Sequence, residues 1–225
     1  MRTAKTVLTV IQERGKQKKP IERVYKLLFN RELYLNAYAK LYPNNGAMTK
    51  GVTNETVDGM SIQKIDRMIE ILREEKYQWK PARREYIKKK NGKKRPLGIP
   101  VWGDKVLQEV MRQILEAYYE PQFSEHSHGF RPNRGCHTAL QEIQVWKGTR
   151  WFIEGDISQY FDTIDHKILL EILARNIHDG RFIRLVSNML EAGYLEEWKF
   201  KQTISGVPQG GVISPILANI YLNEF

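Results

Sequence analysis

WFIEGDISQYFDTIDHKILL, residues 151–170, is the stretch on which the reading of this chain turns. A short apolar run ends on Asp156, an aromatic, Phe161, follows five positions later, and carboxylates return at Asp162 and Asp165. Short apolar runs of this kind read as buried strands, and a carboxylate at a strand end is either a ligand for a cation or part of a turn. Asp162 and Asp165 are accounted for by a turn and by the N-cap of a helix through HKILLEILARNI. Alone, D-x-x-x-x-F-D does not separate the two readings of Asp156, so the rest of the chain has to decide.

At 225 residues the chain can bury a real core, as one large domain or two small ones. Hydrophobic residues make up 41% and are spread out, and no apolar run approaches the ~18 residues of a membrane span. The basic N-terminus has only a short apolar part and no small-residue cleavage site, so no signal peptide is expected. One cysteine, Cys136, excludes an internal disulfide framework and a cysteine-based zinc site, and points to a reducing compartment. His126, His128, His137, His166 and His178 are too scattered to form a metal set, although His126 and His128 could face a nucleic acid. The charge is segregated. Residues 1–100 hold 24 Lys and Arg against 10 Asp and Glu, a net of +14, whereas residues 101–225 hold 12 against 16, a net of −4. A basic half joined to a mildly acidic one suggests that the first grips a polyanion while the second holds carboxylates that recruit cations.

Apolar positions at helical spacing predict helices over 21–42, from Ser61 to about 77, and from Asp104 as N-cap to the stop at Pro121. REYIKKKNGKKRPLGIP, with Asn91-Gly92 between apolar flanks, predicts a hairpin whose tip is basic. A short helix through CHTALQEIQVW precedes the quoted stretch, and a helix through FIRLVSNMLEAGY and a strand in EEWKFKQTIS follow it. GVPQGGVISPILANIYLNEF begins as a glycine-rich turn and becomes a helix with Ser214 as N-cap and Pro215 in its first position. Helices and strands alternate irregularly, which predicts an α+β fold.

Four blocks occur in order: KKKNGKKRPLGIP (88–100), HGFRPNRGCHTAL (128–140), IEGDISQYFDTIDH (153–166) and GVPQGGVISPILANIYLNEF (206–225). Together, from about residue 50 onward, they closely resemble the blocks of reverse transcriptases in the form encoded by bacterial and organellar group II introns, which also act as maturases. The resemblance implies a right-hand polymerase-like arrangement of fingers and partial palm, helix-rich with short antiparallel sheets. Residues 1–50 would be a basic N-terminal extension with a helix, 51–150 the fingers with the basic hairpin at 85–100, and 151–225 a partial palm.

The resemblance also implies roles. Asp156, with the carbonyl of Ile157, would ligand catalytic Mg²⁺ at the end of a palm strand running from Trp151. Phe161 would pack beneath the incoming sugar and exclude a 2′-hydroxyl. Lys89 and Arg95 of the hairpin would contact the triphosphate, with Lys88 the competitor for the lysine's role, and Gln209 would lie against the incoming deoxynucleotide. Arg131 and Arg134 would touch template backbone or form structural salt bridges. Lys16, Lys18 and Lys19, near the helix at 21–42, would bind intron RNA. The implied partners are group II intron RNA, template-primer RNA or DNA and deoxynucleoside triphosphates, in a bacterial cytoplasm or an organelle, and exposed helices could self-associate into a homodimer. The family's second carboxylate motif, a Tyr-Ala-Asp-Asp-like hairpin, does not occur in the 225 residues, so the sequence reads as a fragment that binds RNA without polymerising. Two other readings stay open: mainly a non-catalytic RNA-binding module that assists splicing, or another class of bacterial reverse transcriptase. A ribonucleotide polymerase fits less well, because it needs room and polar recognition where Phe161 stands.

Overall fold

Thr3 caps the first helix of the computed structural model, which describes residues 2–88, 92, 94–197, 199–207 and 210–224. That helix is α1 (Ala4–Lys16), and the Thr3 side chain accepts from the Thr6 amide at 3.2 Å. The segment 21–42, expected as one helix, divides into three. Two residues form β1 (Ile21–Glu22), a 3₁₀ turn spans Val24–Phe29, and α2 (Arg31–Leu41) starts afresh where the Asn30 side chain accepts from the Glu32 amide at 3.0 Å. Asn30 competes for a local amide and so caps a new helix, a preference hidden beneath the apolar spacing. α3 (Ile62–Arg73) begins at its expected cap, Ser61, and buries Ile65, Met68, Ile69 and Leu72, with Ile62 turned outward.

The expected hairpin is β2 (Ala82–Lys88) and β3 (Lys94–Ile99), antiparallel, pairing Ile87 with Arg95 and Arg83 with Ile99. Then come α4 (Trp102–Tyr119), α5 (Cys136–Gln144), α6 (Tyr160–Thr163) and α7 (His166–Asn176), the last capped as expected by Asp165, which accepts from the Ile168 amide at 3.0 Å. β4 (Ile177–His178) pairs in parallel with β1, and α8 (Gly180–Leu190) follows. A second hairpin, β5 (Tyr194–Glu196) and β6 (Lys199–Lys201), lays β5 parallel to β2, giving the order β3-β2-β5-β6. The described sheets are therefore mixed: each hairpin is antiparallel, but the two meet through a parallel pair. α9 (Ser214–Leu222) has Ile213, not Ser214, at its N-cap, with Pro215 in its first turn. One apolar cluster runs from Ala4 to Ile220 and draws on all three sequence segments, with α4 buried through most of its length.

Two further expectations fail. Residues 151–157 do not form the expected strand: they are irregular, with Trp151 86% and Ile153 94% exposed. A strand needs a neighbour to take its backbone hydrogen bonds, and among the described residues none pairs with this run. Asp104, expected as an N-cap, sits instead inside the first turn of α4 and is buried. Its carboxylate accepts from the Tyr77 hydroxyl at 2.6 Å and the Lys80 amide at 3.0 Å, fastening the segment before β2 to the helix.

Burial pushes the Asp104 pKa up from the usual carboxylate value to about 6, although the bonds from Tyr77 and Lys80 pull it down. A folded-state pKa above the unfolded one means that stability is fully present below the unfolded value and is lost as pH rises through the folded one. For Asp104 the window runs from about pH 4 to 6, and the loss amounts to at most about 3 kcal/mol. In denaturant titrations, stability relative to Asp104→Asn is therefore expected to fall across that window. A relative stability independent of pH would show that Asp104 is ionised in both states.

Candidate functional site

The stretch after Asp156 turns sharply. Gln159 adopts a left-handed conformation, φ 52°, and starts α6, a single turn that carries Tyr160, Phe161 and Asp162. Three contacts hold that turn. The Tyr160 hydroxyl donates to the Ala218 carbonyl of α9 at 2.7 Å. The Val207 amide donates to the Phe161 carbonyl at 2.7 Å, and the Gly206 amide to the Ile164 carbonyl at 2.8 Å. Gly206 is fixed by both conformation and space, since its φ is +86° and a Cβ would lie 2.8 Å from the Asp162 backbone. Phe161 is thus half-buried at the point where the 203–207 segment, which leads to the glycine turn, crosses the 151–170 stretch.

The glycine turn also reaches the β2–β3 hairpin. A Cβ on Gly210 would lie 2.6 Å from the Leu97 side chain and 2.7 Å from the Gly98 carbonyl. The close backbone approach that Gly210 permits is therefore toward β3. Beyond it, the Val212 amide donates to the Gln108 side chain of α4 at 2.9 Å. Gln209 and Lys89 lie outside the described residues.

Register separates the two hairpin cations that are described. Side chains alternate along a strand, so Arg95 shares a face with Ile87, Leu97 and Ile99, while Lys88 shares the opposite face with its partner Lys94 and with Tyr86 and Pro96. Leu97 meets Gly210, so Arg95 stands on the face turned to the glycine turn and Lys88 on the other. Each face borders a cavity. One, of about 350 Å³, lies among Arg84, Gly98, Gln159, Asp162 and Ser205. The other, of about 200 Å³, lies between Leu97, Ile99, Lys105, Gly210 and the loop at Gly46–Thr49. Lys105 is buried and donates to the carbonyls of Gly46 at 3.1 Å and Thr49 at 3.0 Å, and burial holds its pKa below the usual lysine value, with the charge of Arg83 adding to the effect.

Asp156 is exposed, and among the described residues nothing bonds to its carboxylate. Among those residues no three His, Cys, Asp or Glu side chains converge on a metal position. The donors present, one free carboxylate and the neighbouring Ile157 carbonyl, suit a hard cation that completes its shell with water and substrate phosphates, as Mg²⁺ does.

Of the two readings open to Arg131, template contact or structural salt bridge, its surroundings match the second. It is buried, with its guanidinium 2.9 Å from Glu120, bonded to the carbonyls of Ser124 and Ser127, and 5.3 Å over the Phe123 ring. Its donors are taken up inside the protein, so it anchors the 124–135 loop and does not present itself to template. Arg134 is half-buried and donates to the Glu125 carbonyl. Lys16, Lys18 and Lys19 are exposed at the end of α1, where Lys16 pairs with Glu13 at 2.7 Å. His126 and His128 both reach Glu142, whose carboxyl they hold below the usual range, His128 more strongly. Sequence reasoning missed two participants, Tyr160 and Phe130. The Phe130 ring meets Phe161 edge to face at 6.2 Å, and nothing in the spacing of the blocks reveals that contact.

The model of the reverse transcriptase (RNA-dependent DNA polymerase) family matches residues 87–225. The chain is 51% identical over 204 residues to the group II intron-encoded protein LtrA of Lactococcus lactis subsp. cremoris, covering 90% of this chain and 34% of that protein. It is 48% identical over 229 residues to a 91 kDa protein in the cob intron of Schizosaccharomyces pombe, covering 98% of this chain and 28% of that protein. The chain thus spans about a third of these relatives' length. A solved partial Cas6-RT-Cas1–Cas2 complex shares the fold over 90% of this chain and 34% of its own, with a TM-score of 0.59 at 20% identity. The hairpin, the glycine turn that packs on its Leu97 and the Phe161 turn to which residues 206 and 207 bond all lie within the matched residues, and the chain belongs to the reverse transcriptase family, with group II intron-encoded proteins among its similar relatives.

Proposed function

We propose that this chain is the fingers and first part of the palm of an RNA-directed DNA polymerase encoded by a group II intron, which also binds its intron RNA as a maturase. The observation that carries the reading is that one glycine-rich segment joins the two parts: its residues 206 and 207 bond to the Phe161 turn, and its Gly210 packs on Leu97, on the Arg95 face of the hairpin. A nucleoside triphosphate needs cations along its phosphates and a wall at its sugar, and this arrangement supplies a place for each. Asp156 and the Ile157 carbonyl would hold Mg²⁺, which when bound polarises the phosphates and activates the attacking 3′-oxygen. Arg95 suits the triphosphate because its planar fork bonds two oxygens at once. Lys89 and Gln209 retain the triphosphate and nucleotide roles that the resemblance gives them. Phe161 would be the wall against which a 2′-hydroxyl clashes.

Intron RNA and the template-primer belong on the basic half. The exposed Lys16, Lys18 and Lys19 and the basic hairpin, Lys88 included, offer dispersed phosphate contacts. That same charge also favours a second reading, in which docking on structured RNA dominates and polymerisation is secondary.

Two variants, made in a full-length protein carrying this chain, test the reading. Asp156→Ala is expected to lower primer extension by more than about 100-fold, since even the hydrogen-bond partners of metal ligands cost about 10- to 100-fold when removed. RNA affinity should be little changed, with log K falling by roughly 0.7–0.9 per phosphate contact for each decade of salt. Comparable extension by the variant would refute the metal role, and binding that ignores salt would refute the phosphate contacts. Phe161→Val should raise the ribonucleotide's kcat/KM relative to the deoxynucleotide's by about tenfold or more, as removing a steric wall does. Unchanged sugar discrimination would take that role from Phe161.

A further inference from the structure

Phe130 stands in the most costly setting of any aromatic near the site. It is 72% exposed and its backbone is left-handed, φ 57°, a region that bulky side chains avoid. Stability alone would place glycine, asparagine or aspartate there. The flanking residues leave it no choice. On one side the Gly129 carbonyl accepts from the Asn219 amide of α9 at 2.8 Å. On the other, Arg131 is locked by Glu120, Ser124, Ser127 and Phe123. A loop that over-determines its backbone in this way can hold a strained residue in one position, and such strain gathers at functional sites.

Among the described residues the Phe130 ring makes one aromatic contact, and it is with Phe161: centroids 6.2 Å apart, planes at 87°. Phe161 also meets the Tyr160 ring at 5.8 Å and 61°, and Tyr160 is itself pinned to the Ala218 carbonyl. Both neighbours of the Phe161 ring are held by α9, Tyr160 through Ala218 and the backbone before Phe130 through the Asn219 side chain. Without Phe130, one side of that ring would face open solvent and its χ angles would relax.

We propose that Phe130 is a positioning residue for sugar discrimination: by holding the Phe161 ring from its exposed side, it sets how closely that ring approaches the sugar 2′-position of an incoming nucleotide. This rests on the reading of Phe161 as the wall beneath the sugar.

The test uses Phe130→Asn, Phe130→Tyr and Phe161→Val in a full-length protein carrying this chain, with single-nucleotide insertion of matched deoxy- and ribonucleotides as the readout. Phe130→Asn is expected to reduce the deoxy-to-ribo ratio of kcat/KM by about three- to tenfold, the scale of one aromatic pair. Phe130→Tyr, which keeps the ring edge, should restore it. Because asparagine tolerates the left-handed region, the 225-residue chain carrying Phe130→Asn should melt no lower than the parent. Three results would overturn the inference. A ratio unchanged in Phe130→Asn while Phe161→Val relaxes it would leave the wall standing and remove Phe130 from it. A lower melting temperature in Phe130→Asn would make the ring a packing residue. Weaker RNA binding with an unchanged ratio would make it a template contact. Should Phe161→Val itself leave the ratio unchanged, the reading of the wall fails, and this inference fails with it.

Discussion

A helix buried through most of its length is stable only if most of its polar side chains find partners, because an unpaired buried polar group costs several kcal/mol. Among the described residues the Trp102 ring N–H and the Tyr119 hydroxyl of α4 have none, but four neighbouring residues meet the constraint, and each ties down a different part of the molecule. Asp104 takes the Tyr77 hydroxyl and the Lys80 amide ahead of the hairpin, and Lys105 takes two carbonyls of the loop at Gly46–Thr49. Gln108 receives the Val212 amide after the glycine turn. Glu109 pairs with Arg112 at 2.6 Å and with Lys40 of α2 at 3.4 Å. The hairpin, the glycine turn and the N-terminal helices are thereby registered against one rigid element, the kind of support on which a site can be held precisely enough for chemistry.

The site follows the same logic at its outer edge. The α6 turn has little apolar burial of its own and takes its position from bonds to α9 and to residues 206 and 207. Among the described residues nothing bonds to the exposed Asp156 carboxylate, which leaves it accessible to the cation proposed there. The exposed run Trp151–Ile153 is the converse case, since its apolar residues suit a buried strand and no described residue takes up its backbone.

Much of this was legible in the residues because it depends on local chemistry. The caps at Ser61 and Asp165 and the hairpin around Asn91-Gly92 follow from neighbours a few positions apart. What failed depends on tertiary partners. Asp104 has the sequence signature of a cap but serves a tyrosine 27 residues back. Arg131, in a loop that reads as basic and exposed, is consumed by Glu120 and two carbonyls. The strand at 151–156 was read correctly for its apolar content but not for its need of a neighbour. For the candidate site, the block order indicated which residues to examine. It could not indicate that Arg95 and Lys88 face opposite ways, which follows from register, or that Phe130 leans on Phe161, which follows from a strained loop.

The claim on which all of this converges is that a catalytic cation sits at Asp156. It is tested most directly by metal-directed cleavage: iron(II) replaces magnesium in a full-length protein carrying this chain, with primer-template and a deoxynucleotide bound, and hydroxyl radicals generated at the metal cut the nearest backbone. The account predicts cuts at 156–157 and at the Phe161 turn, both lost in Asp156→Asn. Cleavage that spares this region, or that persists unchanged in the variant, would contradict it.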